Sequence, residues 1–133
     1  MTNTIPSRRI QKALHRVSAL IGNTVLYPIS KAYSKKGVYI YAKLEWQQLG
    51  GSVKARPAFN IIKTAILNGH LNSEKILLDA TSGNTGIAYA AVGSALGIKV
   101  KLAIPENASE ERKILLKSLG AELILTSRFE GTD

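Results

Sequence analysis

The sequence contains no cysteine. That excludes disulfides, thiol nucleophiles and cysteine metal ligands, and it fits a reducing, cytoplasmic compartment. Histidine is nearly as scarce: His15 and His70 stand far apart without a ligand-like pattern, so no metal site is expected. With four prolines and no low-complexity tract or internal repeat, the chain lacks the composition of a disordered segment. The apolar, uncharged stretch at residues 86–98 is too short and too rich in glycine to span a bilayer, and no membrane partner is expected. Acid is missing from the start. Up to Leu44 there are eight Lys or Arg and no Asp or Glu, whereas from Glu45 onward ten bases meet nine acids.

What is present is a chain of 133 residues, 45% hydrophobic, long enough to bury one core. Within the basic start, Ile10, Ala13, Leu14, Val17 and Ile21 fall on one helical face. No aromatic side chain is interleaved with Arg8, Arg9, Lys12 and Arg16 to stack on bases, so a docked helix is favoured over a nucleic-acid arm. The apolar stripe is expected to pack on segments outside this chain, with the basic residues beside it facing acids there.

Further on, residues 25–29 read as a short extended piece and 38–44 (V-Y-I-Y-A-K-L) as a strand. A helix is predicted from about Ser52 to Leu67, closed by Asn68 and Gly69. Residues 76–80 predict a strand, its start Ile76 to Leu78 buried, and a small-residue helix runs from Asn84 to near Gly97. Residues 99–104 predict another strand. Asn107 and Glu110 are spaced as a capping box for the next helix, which Gly120 ends, and 121–126 is the last strand. Strands alternating with helices imply an α/β fold: βαβ units and a parallel sheet covered on both faces, with ligands at the carboxyl ends of strands.

Two stretches lie at such ends. The first is T-S-G-N-T-G, where Thr81, Ser82, Gly83, Asn84 and Thr85 lead from strand to helix. Its glycines admit a ligand close to main-chain N–H groups, and the helix start favours a carboxylate or phosphate. A plain helix cap with turn glycines would use the same residues. The second is G-G-S-V-K-A-R-P, which sets Lys54 at the first turn of a helix. The dipole end and nearby Arg56 disfavour a protonated amine there, which suits Schiff-base chemistry. A solvated surface lysine is the alternative.

Three stretches, G-S-V-K-A-R-P-A, T-S-G-N-T-G-I-A-Y-A and S-E-E-R-K-I-L-L-K-S-L-G-A-E-L-I-L-T, occur in this order. In that order they resemble the cysteine synthases, O-acetylserine or O-phosphoserine sulfhydrylases of the tryptophan-synthase-β type of pyridoxal-phosphate enzymes. I-G-N-T at residues 21–24 is similar to an early family motif, with Val25 where proline is usual. The resemblance implies that Lys54 forms the Schiff base with pyridoxal 5'-phosphate and that Asn84 hydrogen-bonds the cofactor's ring oxygen. It implies that Thr81, Ser82, Gly83 and Thr85 hold the substrate carboxylate. The implied reaction is β-replacement: Lys54 removes the α-proton of an activated serine, the β-leaving group departs, and sulfide adds to give cysteine. Ala55 stands where the family usually has aspartate. The continuation Arg56-Pro57-Ala58 looks closer to the O-phosphoserine branch.

Family members are more than twice this long, and their cofactor-phosphate loop and the partner of the pyridine nitrogen fall beyond Asp133. The resemblance therefore implies an N-terminal arm of a larger α/β domain, residues 1–45. A parallel βαβ three-layer small domain follows, residues 46–133, incomplete at its C-terminal end. It also implies a homodimer for the complete enzyme and an isolated chain that is inactive. Cystathionine β-synthase, a dehydratase or threonine synthase, and a fragment serving only as a binding or assembly module are the alternatives. T-S-G-N-T-G-I-A argues against the dehydratases and threonine synthases.

Overall fold

The computed structural model describes residues 6–81 and 83–129. In chain order the elements are α1 (Arg8–Ser18), β1 (Leu26–Ile29), β2 (Ile40–Lys43), a 3-10 turn (Glu45–Gln47), α2 (Ala55–Leu67), β3 (Ile76–Ala80), α3 (Asn84–Leu96), β4 (Lys99–Pro105), α4 (Glu110–Ser118) and β5 (Glu122–Thr126). β3, β4 and β5 form a parallel sheet in that order, with Leu77 opposite Val100 and Leu102 opposite Leu123. β1 and β2 form a separate antiparallel ribbon, Ile29 opposite Ile40. The fold is mixed α/β around a parallel sheet, as the alternation of patterns predicts.

α3 is the hub. Its sequence, N-T-G-I-A-Y-A-A-V-G-S-A-L, is apolar almost all round, the signature of a helix buried on several sides. It packs against α1, α2, α4 and β4, and small residues let its neighbours come close. A Cβ added at Gly93 would collide with Val100 Cγ2 and lie 3.1 Å from the Ile98 carbonyl oxygen. Alanine gains about 1 kcal/mol of helix propensity over glycine. Overpacking costs about 1–3 kcal/mol. Gly93→Ala should therefore lower stability by up to about 2 kcal/mol, read as a lower urea midpoint at unchanged slope.

The apolar stripe of α1 finds its cover inside the chain rather than outside it. Leu14 and Val17 are buried in the same core as Ile66, Leu96 and Leu102, with Ile10, Ala13 and Ile21 packed against it. The sequence pattern gave the face correctly; it carried no information on which surface would receive it. Ser7 caps the helix, its hydroxyl accepting from the Ile10 N–H at 3.4 Å.

Residues 76–78 are not uniformly buried. Leu77 turns inward with Val100, Leu102, Ile104 and Leu123, while Ile76 and Leu78 point the other way, Leu78 being 64% exposed. The core helices lie on one face of the sheet, and the described residues supply no second covering layer. Other boundaries shift for local reasons. β2 begins at Ile40 because the Val38 N–H is engaged in a turn to the Lys35 carbonyl. The capping box at Asn107 does not form: Ser109 caps α4, accepting from the Arg112 N–H, and Glu110 pairs with Lys113 at 2.8 Å.

Candidate functional site

The chain from Ser52 to Lys54 forms a turn whose hydrogen bonds run straight into a helix. The Ala55 N–H donates to the Ser52 carbonyl, Arg56 to Val53, and Ala58 to Lys54. Lys54 thus occupies the cap position of α2 rather than a place within it, and its side chain is exposed. Among the described residues its amine has no ion-pair partner. Ahead of it, Gly50 and Gly51 both adopt positive φ, +88° and +69°. At Gly50 the backbone comes so close to α3 that an added Cβ would lie 3.3 Å from Ala88 Cα. That contact holds the lysine turn against the first turns of α3.

α3 begins where β3 ends. The Thr81 N–H continues the ladder to the Ala103 carbonyl at 3.1 Å, and its hydroxyl then accepts from the Gly83 N–H at 3.4 Å. Gly83 is the cap residue, and no side chain caps the helix among the described residues. A Cβ added at Gly83 would meet nothing within 4 Å, so the space in front of this helix start is open. Gly86 is the opposite case: a Cβ there would press on the Thr81 carbonyl oxygen at 3.1 Å and Leu102 Cδ1 at 3.2 Å. The loop therefore rests directly on β4. Asn84 is exposed at the first helical position and Thr85 half-buried behind it. Ser82 lies outside the described residues.

These groups form a donor set of definite chemistry. A primary amine stands at one helix start. A second helix start, lined by glycine, threonine and an amide, faces open space. An aldehyde-bearing cofactor with an oxygen-substituted ring, together with a carboxylate substrate, fits that set. Among the described residues there is no cluster of His, Asp or Glu able to hold a metal, and no helix long and apolar enough to cross a membrane.

Arg56 is not the bare charge beside Lys54 that sequence reasoning placed there. Its guanidinium makes a bidentate pair with Glu45, Nε to Oε2 and Nη2 to Oε1, both at 2.9 Å. Arg56, and next Thr24, hold the Glu45 carboxyl well below its usual range, at about 2. Glu45 and Gln48 were missed by motif reading, and Thr24 entered it only as the last residue of I-G-N-T, with no role. One signal was available: Glu45 is the first acid in the chain, after eight bases.

The profile of the pyridoxal-phosphate dependent enzyme family matches residues 17–133. A cysteine synthase of Aquifex aeolicus is 48% identical over 126 residues, which cover 92% of this chain and 38% of that protein. The crystal structure of a cysteine synthase from Entamoeba histolytica superposes with a TM-score of 0.81 at 38% identity, covering 99% of this chain and 39% of that one. A hydrogen sulfide-producing enzyme from Fusobacterium nucleatum does so with a TM-score of 0.81 at 39% identity, covering 92% and 37%. The chain thus spans about two-fifths of the length of such relatives.

Proposed function

The chain belongs to the pyridoxal-phosphate dependent enzymes, and from that premise we propose that it carries the lysine and the substrate-carboxylate loop of a cysteine synthase. The observation that carries the reading is the exposed Lys54 amine at the cap of α2, its turn pressed through Gly50 onto the helix that Asn84 opens. The division into an arm, residues 1–45, and a small domain, residues 46–133, is part of the same proposal, as are a homodimer and a cytoplasmic setting for the complete enzyme.

In this reading Lys54 Nζ would hold the cofactor through its amine, and the free amine would take the proton from the substrate's α-carbon. When bound, the cofactor supplies an electron sink for the charge left on that carbon. Asn84, exposed at the start of α3, would donate its side-chain amide to the cofactor's ring oxygen. Thr81, Ser82, Gly83 and Thr85, with the free N–H groups of α3, bind the substrate carboxylate at the positive end of the helix dipole. Sulfide replaces the leaving group on the β-carbon, giving cysteine.

The leaving group is proposed to be phosphate. The motivation is the Arg56-Pro57-Ala58 continuation and a net charge of +9, which favours a doubly charged leaving group. In the complete enzyme, turnover of O-phosphoserine should exceed that of O-acetylserine and fall as salt rises, with sulfide as acceptor. A preference for O-acetylserine at every ionic strength overturns the phosphate assignment. Consumption of homocysteine rather than sulfide overturns the cysteine-forming one.

A further inference from the structure

We propose that Glu45 is a positioning residue for Lys54, tying the lysine's turn to the turn at residues 22–24 and to the first turn of α2. The proposal rests on Lys54 being the cofactor lysine. Between the 3-10 turn and α2 the chain has no regular structure and two glycines at positive φ. Its backbone hydrogen bonds are local turn contacts, such as Gly51 N–H to the Gln48 carbonyl and Ala55 N–H to that of Ser52, with Leu49 N–H to Leu20 reaching further, so they set its shape more than its place. Its side-chain tethers converge on one carboxylate. Glu45 Oε1 accepts from the Thr24 hydroxyl at 2.7 Å and from Arg56 Nη2 at 2.9 Å. Oε2 accepts from Arg56 Nε at 2.9 Å and from Gln48 Nε2 at 2.6 Å. All of the roughly four acceptor directions of a carboxylate are used.

Each donor belongs to a different segment. Thr24 stands before β1, Gln48 inside the lysine's own connection, and Arg56 just after Lys54. Gln48 carries the link further, its Oε1 accepting from the Gly22 N–H at 2.8 Å. Thr24 and Gln48 are 7% and 5% exposed, so both need the partners they have. Gly22 adds a steric condition. Its φ is +81°, and an added Cβ would lie 3.1 Å from Arg56 Nη1. Arg56 is therefore seated between the Gly22 backbone and Glu45, and Lys54 sits at the start of the helix that Arg56 anchors.

A surface ion pair alone would be worth little. What the hub supplies is geometry, and that geometry has a pH signature. Arg56, Thr24 and Lys43 face the carboxylate and keep it ionised down to about 2. A depressed folded-state pKa means that the contribution is complete above the ordinary value near 4.5 and is lost as pH falls toward about 2.

The test is amide hydrogen exchange, corrected for intrinsic rates, on the wild-type chain and on Glu45→Gln, which keeps the shape but sets N–H donors against donors. In the wild type, protection of residues 50–56 should decline from pH 4.5 downward ahead of β3 and β4. In Glu45→Gln the same amides should exchange about tenfold faster at neutral pH, with β3 and β4 unchanged and the acid dependence gone. A second arm adds pyridoxal phosphate and borohydride: the share of label on Lys54 should drop about fivefold in the variant. Identical exchange and identical pH profiles in the two proteins overturn the positioning role. Absence of label on Lys54 in the wild type overturns the cofactor assignment instead, and the exchange arm then decides on the hub alone. Should Glu45→Gln not fold, Gly22→Ala decides, because it displaces Arg56 from the other side; unaltered exchange at residues 50–56 there sinks the proposal.

Discussion

Leu102→Ala is expected to lower the unfolding free energy by about 3–5 kcal/mol, the upper range for a leucine truncated in a closed core. Leu102 is 0% exposed, on the central strand of the parallel sheet, beneath α3. Its Cδ1 lies 3.2 Å from the position a Cβ would take at Gly86, so it is also the floor of the loop from Thr81 to Gly86. Helix α3 and the sheet meet rigidly there, and neither can move in to fill the cavity without carrying that loop along. Against a total of roughly 5–15 kcal/mol for a domain this is a large share. Urea unfolding measures it. A control at the exposed Ile61 should change stability by less than about 0.5 kcal/mol. A Leu102→Ala midpoint as high as the control's would show that the core is not centred on β4.

In the complete enzyme, Lys54→Ala should abolish turnover, with a loss of at least about 10²–10⁴-fold from removal of the proton carrier alone. Because Lys54 is exposed and makes no ion pair among the described residues, the variant should keep its stability within about 0.5 kcal/mol of wild type. Loss of function with full retention of fold is the pattern of a residue that touches the reacting atoms. A substitution that reduced both in step would point to a structural lysine.

Most of this was legible in the chain because local signals agreed. The turn T-S-G-N-T-G lies between an apolar run and a small-residue helix, and the structure puts the β3–α3 junction there. Gly69, Gly97 and Gly120 mark the ends of α2, α3 and α4 as expected, each at positive φ. What was not legible depends on contacts distant in sequence. Periodicity showed that Leu14 and Val17 share a face but could not reveal that the core around α3 receives it. β-propensity in residues 38–44 could not show that a turn at Lys35 withholds Val38 from the ladder. A motif reading centred on Lys54 treated Arg56 as a free charge, since nothing local reveals that Glu45 and Thr24, from other segments, are waiting for it.

The capture of pyridoxal phosphate by one lysine is the most direct measurement. The cofactor is added to the protein, the Schiff base is fixed with borohydride, and the digested chain is mapped by mass. The label is predicted on Lys54, with absorbance of the bound cofactor lost in Lys54→Ala. Label spread over the other surface lysines, or unchanged in Lys54→Ala, would contradict the assignment.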